Sequence, residues 1–398
     1  MRRRNLEKRT IANIVITMKT KCAKRFENVL LRKRKRDLLE ENLISLVVQK
    51  IRREIVHMGM MWEHVLVSVG KRFWQNITKL RRNESRKGRS NDMTSKLEII
   101  GIDHGWSMMK GTNDVFVTGV KEITTTPAMY ADTLEYQSRY YRVGTTRQEV
   151  KNTKTEDDTF YLLTLAAVAK ALKRRGLTEA RVFLAVGLPL TRFGAEKADF
   201  IKYLTANKYV EFAYEQITYC IEVVSAAVFP QCYAAVADRI TEFAKKTVIV
   251  DIGSWTIDIM PVINKAPDES NCITIPKGLI TCMRSVNEQC VRQLNGEVDE
   301  ADIQHVMRYG TGDYDEEYLK IMKEEISAYV ERVYNSIREY GYNLSTTPIV
   351  FVGGGAVVMK NFGNLNQKNI SYILDVKANA RGYEQLATIG LKKMKKLA

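Results

Sequence analysis

Two short glycine loops limit what this chain can fold into more than any other feature. The first is Ile99-Ile100-Gly101-Ile102-Asp103-His104-Gly105-Trp106-Ser107-Met108-Met109-Lys110-Gly111. The second is Val248-Ile249-Val250-Asp251-Ile252-Gly253-Ser254-Trp255-Thr256-Ile257-Asp258. Each reads as an apolar run, an aspartate, a glycine two residues on, a hydroxyl residue and a second apolar run. That order predicts a β-hairpin with a carboxylate at its root and backbone N–H groups at its tip. Such N–H groups cradle phosphate oxygens, and the carboxylate positions a hydrated Mg²⁺. One Asp-x-Gly is common at ordinary turns. A matched pair of hairpins facing each other can grip a triphosphate from both sides.

A third element follows late in the chain. Pro348-Ile349-Val350-Phe351-Val352 is a β-branched run leading straight into Gly353-Gly354-Gly355-Ala356. Three glycines at a strand end let the backbone approach a flat or bulky group closely. The adenosine of a nucleotide is one such group; the plain alternative is a tight strand-to-helix turn.

Taken in order, these loops resemble the superfamily of actin, heat-shock chaperones and sugar kinases. Further stretches sharpen the likeness: the run from Arg181 through Gly187-Leu188-Pro189 to Gly194, then Val228-Phe229-Pro230-Gln231, and Ala378-Asn379-Ala380-Arg381-Gly382-Tyr383-Glu384 near the end. With them, residues 97–398 resemble the ParM/StbA actin-like ATPases of plasmids and other mobile elements. The resemblance implies an α/β, actin-like fold with two RNase H-like lobes around a nucleotide cleft. Lobe I would span 97–245 and lobe II 246–398, with the last helix returning to lobe I. It also implies ATP and Mg²⁺ as ligands. Asp103 would hold the metal through water, and Lys110 would neutralise charge on the β- and γ-phosphates. Asp251 would be the second metal-organising carboxylate, close to the attacking water. Gly105, Ser107, Gly253, Ser254 and Thr256 would supply backbone and hydroxyl donors, and Gly353, Gly354 and Gly355 the adenosine contact. Gln231, read as the start of a helix after Pro230, would orient the water. A neutral amide is a poor base, so slow turnover is expected. The plainer readings are a solvated lysine at 110 and a helix-start residue at 231.

Some residues depart from the pattern or stand outside it. Trp106 and Trp255 occupy loop positions where actins carry small residues, and would stack on the opposite lobe or narrow the cleft. His104 is read as a lone polar-loop histidine without chemistry, and Asp258 as closing its hairpin.

Charge separates the chain into two parts. The total is 62 Lys+Arg against 46 Asp+Glu, a net of +16. Residues 1–96 hold 26 basic and 9 acidic residues, a net of +17, which leaves 36 and 37 for the rest, a net of −1. The high charge thus belongs to the leader and says nothing about the fold. Clusters such as Arg32-Lys33-Arg34-Lys35-Arg36 and Arg81-Arg82 fit a nucleic-acid-binding arm. The competing reading takes Met93 as the natural start and leaves residues 1–92 outside the working protein. Met1-Arg2-Arg3-Arg4 is not followed by a sustained apolar stretch, so no signal peptide is expected. No run approaches the 18 or so apolar residues of a membrane span. The six cysteines (Cys22, Cys220, Cys232, Cys272, Cys282 and Cys290) lack C-x-x-C spacing and read as buried thiols of a reducing cytoplasm.

Periodicity predicts strands near 98–102, 115–120 and 134–143, and a helix from Phe160 to Leu172 closed by Gly176. Strand 181–186, helix 194–206, strands 209–213 and 217–224 and a helix over 230–244 follow. Strands 247–251, 256–263 and 271–276 come next, then helices over 278–295, 299–308, 314–340 and 383–397. Ile326, Val330, Val333, Ile337 and Tyr340 recur at helical spacing and read as core. The expected function is a cytoplasmic ATPase polymerising with itself and coupled to plasmid or mobile-element DNA by a DNA-binding adaptor. A nucleotide-bound scaffold and a small-metabolite kinase are the alternatives.

Overall fold

The same three-strand unit is built twice from near-continuous apolar runs. The computed structural model describes residues 96–149, 151–364 and 368–397, so the basic leader lies outside the described residues. In the first unit β1 (Leu97–His104) pairs antiparallel with β2 (Met108–Gly111) and parallel with β7 (Glu179–Leu188). In the second, β10 (Lys246–Ile252) pairs antiparallel with β11 (Ile257–Ile263) and parallel with β14 (Ile349–Val352). Val248, Ile249, Val250 and Ile252 are all buried, as expected of a strand covered on both faces.

Each unit grows into a sheet. β3 (Val115–Val117), β4 (Val120–Ile123), β5 (Thr133–Tyr136), β6 (Arg139–Val143), β8 (Tyr209–Tyr214) and β9 (Ile217–Pro230) complete nine strands in the order β3-β2-β1-β7-β9-β8-β5-β6-β4. The second sheet runs β12-β11-β10-β14-β15, with β12 at Ala266–Pro267, β15 at Ile370–Tyr372 and β13 (Ile273–Ile275) on β11. The strand expected over 134–143 is a hairpin instead, because Gln137 and Ser138 take positive φ of 52° and 63°.

Helices cover the sheets. α1 (Thr159–Arg174) is buried on nearly every face from Phe160 to Ala169. It ends in a Schellman turn: Gly176 sits at φ 68°, and the Leu177 N–H donates to the Leu172 carbonyl at 3.0 Å. α2 (Leu190–Leu204) follows Pro189. α3 (Leu279–Leu294), α4 (Glu300–Tyr309) and α5 (Glu316–Glu339) build the second core. In α5 the Asp315 carboxylate caps the first turn through the Glu317 N–H at 2.9 Å, and Ile326, Val330, Val333 and Ile337 are buried. Tyr340, expected with them, lies just past the last turn and is 44% exposed. α6 (Ala356–Phe362) is short.

The helix expected over 230–244 does not form. β9 continues to Pro230, the Gln231 N–H extends the pairing to the Leu188 carbonyl at 3.0 Å, and Cys232 breaks the path at φ 63°. Only two 3₁₀ turns remain, Ala234–Val236 and Ile240–Glu242. The competing demand is packing against α7 (Ala378–Leu397), since a Cβ on Gly382 would collide with the Ala234 carbonyl. α7 lies along β1 and β7. Side chains at Gly101 and Gly187 would likewise strike Ala380 and Tyr383. Small residues at this seam let backbone meet backbone, and the Glu384 carboxylate accepts the Gly101 N–H at 3.1 Å. Among the described residues no helix is long and apolar enough to cross a membrane.

Candidate functional site

The two hairpins bring Asp103 and Asp251 to equivalent strand ends with different company. Asp103 stands directly across from Lys110 on β2, and their side chains pair at 3.1 Å. Its other oxygen accepts the Gln231 Nε2–H at 3.0 Å. Burial alone would raise this carboxyl, but the Lys110 and Lys154 ammonium groups outweigh it and hold Asp103 below the ordinary carboxylate value. Lys110 is raised in turn: burial opposes its charge, but Asp103 and then Asp251 overcome that. One ammonium therefore answers carboxylates from both sheets.

Asp251 stands across from a second carboxylate, Asp258. Burial pushes Asp251 above its usual range, and Lys110 and a hydrogen bond from Asn379 offset only part of this. That bond, Asn379 Nδ2 to Asp251 Oδ2 at 2.8 Å, comes from the first turn of α7. Asp258 is pushed up to about 6 by burial, even though it accepts Thr274 at 2.5 Å and Thr256 at 3.0 Å. The Asp258 carboxylate thus ties β11 to β13 and braces the Thr256 hydroxyl.

The glycines divide by what they must accommodate. The Gly105 N–H turns back to the Asp103 carbonyl at 3.1 Å, and the Gly253 N–H to the Thr256 carbonyl at 2.9 Å, so both close their own tips. Ser107 is buried and its hydroxyl accepts from Arg147 at 3.4 Å. Ser254 sits where its carbonyl accepts the Ile280 N–H at 2.9 Å, which stitches the second tip to the start of α3. Gly353 has φ 80°, and a Cβ there would strike Asp251 Oδ1; one on Gly355 would strike Ile252. Gly354 has only Leu279 near it, at 3.9 Å, and stays open. The third loop therefore passes directly behind the second aspartate.

Gln231 is placed beside Asp103, at the end of a strand and not at the start of a helix. The tryptophans pack on their own sides: Trp106 lies edge-on to Phe160 at 5.2 Å, and the Arg284 guanidinium sits 5.6 Å over Trp255. His104 is no polar-loop residue. It is fully buried, its Nε2 is 2.9 Å from the Thr164 hydroxyl, and burial lowers it to about 3, so the ring is neutral. Cys232, Cys282 and Cys290 are buried, whereas Cys220 and Cys272 are partly exposed.

Four contributing residues were not legible as such in the sequence. Asn379 and Tyr383 lie in the motif Ala378–Glu384, but the helix expected from 383 in fact begins at Ala378 and carries both. Tyr383 is wholly buried, and burial together with Asp103 and Asp251 keeps its hydroxyl protonated. Arg147 and Lys154 sit in the polar stretch between β6 and α1, where no sequence pattern marks them. Arg147 reaches across to Glu300 in a two-pronged pair at 2.8 and 2.7 Å while touching Ser107. A cavity of about 370 Å³ opens beside this pair, with Ile280, Met283 and Asn287 of α3 among its walls. Among the described residues no three His, Cys, Asp or Glu side chains cluster to cage a metal. Two carboxylates without a cage suit a Mg²⁺ that keeps most of its waters and leans on phosphates.

Residues 101–233, from the first hairpin to the turn after Gln231, match the family described as actin like proteins N terminal domain. No curated protein matches the chain. Among solved structures it is similar to apo psk41 ParM, at 18% identity over 76% of this chain and 100% of that one, with a TM-score of 0.60. It is similar to Bacillus thuringiensis ParM with ATP at 14% identity, covering 73% and 98%, TM-score 0.56. The Alp12 filament subunit gives 15% identity, 75% and 100% coverage, and a TM-score of 0.55. The chain therefore has the actin-like fold, and its residues 101–233 are similar to the N-terminal domain of actin-like proteins.

Proposed function

We propose that this protein is a nucleotide-dependent actin-like ATPase that assembles into filaments and segregates plasmid or mobile-element DNA through a DNA-binding adaptor. The observation that carries the reading is the convergence of Asp103, Lys110, Gln231 and Asp251 from two facing hairpins. The similar ParM solved with ATP and the Alp12 filament support a nucleotide ligand and self-association. Mg²⁺, held through water by Asp103 and Asp251, would supply charge neutralisation at the phosphates. Backbone N–H groups of both tips, other than those of Gly105 and Gly253 that close their own turns, would grip phosphate oxygens, and Lys110 would meet the charge between them. The nucleoside would lie between the open face of Gly354 and the cavity along α3.

Hydrolysis joins a water oxygen to the γ-phosphorus while the bond to the β-bridging oxygen breaks, its electron pair leaving with the diphosphate. Gln231 is anchored through its amide N–H on Asp103, which leaves its carbonyl oxygen as the group that orients the water. An amide takes no proton, so turnover is slow. The same anchoring favours one alternative, a scaffold that holds ATP without cycling. The full chain at tens of micromolar should pellet with Mg-ATP, release phosphate, and disassemble as nucleotide is consumed. A persistent monomer with ATP bound selects the scaffold.

A further inference from the structure

Lys154 is a buried cation with no ion-pair partner among the described residues. It belongs to the segment between β6 and α1, and it is only 7% exposed. Its ammonium rests 5.9 Å from the Phe200 ring centroid, and that ring meets His104 edge-on at 5.2 Å, next to Asp103. The carboxylates it responds to already have partners. Asp103 is paired with Lys110, Glu196 with Arg192 at 2.9 Å, and Asp258 with the Thr256 and Thr274 hydroxyls. Among the described residues no carboxylate lies within ion-pair distance of Lys154. Burial without a partner lowers it to about 8, which still leaves most of the ammonium charged at pH 7.

A charge kept out of water without a partner is costly, and a fold tolerates it where a ligand supplies the opposite charge. The position says which part of the ligand. Lys154 lies on the side of the first hairpin, over the Phe200 ring that packs edge-on to His104, whereas Gly353 of the third glycine loop lies against Asp251 of the second. A nucleotide with its sugar at Gly353–Gly355 would run its phosphates away from that loop and end near Lys154. We propose that Lys154 is a second phosphate-binding cation, one that meets the terminal phosphate of a nucleoside triphosphate and not the phosphates of a diphosphate. The loop is held for this purpose by the Arg192 guanidinium on the Asn152 carbonyl and by the Thr153–Thr155 hydroxyl contact at 3.3 Å.

This inference rests on the nucleotide reading of the cleft, and its test separates the two. Fluorescent ADP and a fluorescent non-hydrolysable triphosphate analogue are titrated into the full chain and into Lys154→Gln and Lys154→Arg. Lys154→Gln should weaken the triphosphate analogue by about ten- to hundredfold, the scale of one charge-assisted contact, and leave ADP within about threefold. Lys154→Arg should keep most of the discrimination. If Lys154→Gln does not fold by circular dichroism, Lys154→Met, apolar against Phe200, carries the same expectation. Equal loss for both nucleotides overturns the proposal in favour of a structural lysine. No loss for either overturns it and leaves the cleft a nucleotide site. Failure of the native chain to bind either nucleotide overturns both readings.

Discussion

The two hairpins share a backbone plan and differ in charge at one cross-strand position. Opposite Asp103 stands Lys110; opposite Asp251 stands Asp258. Residues directly across an antiparallel pair lie on one face within reach of each other, so that position sets the electrostatics of each tip. The first tip carries a closed ion pair, and its carboxyl is held down. The second holds a buried carboxyl, Asp251, and a half-buried one, Asp258, which both move up, and it depends on neutral donors, Asn379, Thr256 and Thr274. A repeated strand plan thus yields a charged, pre-neutralised side and an under-neutralised side. The second side is the one that gains most from an arriving cation.

The contrast can be broken most severely at Lys110. Lys110→Met leaves Asp103 buried and unpaired and should cost about 3 kcal/mol of unfolding free energy. Urea titration measures it; a loss under about 1 kcal/mol would mean that water, not Lys110, satisfies Asp103. The opposite hairpin is probed by function. Asp251→Ala should lower ATP hydrolysis by at least about a hundredfold, the scale of removing a key electrostatic group. Phosphate release at the native rate, with unchanged Mg²⁺ dependence, removes Asp251 from the mechanism. Gln231→Ala, on the first side, should slow hydrolysis more than it weakens nucleotide binding.

A subtler difference lies in pH. Asp258 has a folded value of about 6 against an ordinary 3.8. Between about pH 4 and 6 the folded chain therefore holds a proton that the unfolded chain has released. Its contribution to stability is complete below pH 4 and is lost as pH rises through 6, by about 1.4 kcal/mol per unit at most. Asp258→Asn should flatten that slope in metal-free urea titrations across pH 4 to 7. An unchanged slope would assign the titration to another buried group.

Local pattern made much of this protein legible. Both aspartate loops, the Gly-Gly-Gly loop, and α1 with its glycine stop follow from strand alternation, turn chemistry and helix capping, which depend on near neighbours in sequence. The helix expected over 230–244 failed for a non-local reason. Its alanine-rich stretch is compatible with helix, but α7, more than a hundred residues on, packs its backbone against Ala234. Gln231 consequently reaches Asp103 from a strand end. Tyr340 failed at a boundary, where helical spacing continued one residue beyond the helix.

The sequence by itself determined which residues stand at the strand ends and turns: two aspartates, a lysine seven residues after the first, and glycines where a backbone must pass close. Tertiary structure alone decided who faces whom. It set Asn379 on Asp251, Gln231 on Asp103, Arg147 across to Glu300, and Lys154 in a buried place where no carboxylate of the described residues pairs with it. The reason is physical: backbone geometry and turn preference act over a few residues. The energy of a buried charge depends on every group within several ångströms, whatever its distance along the chain.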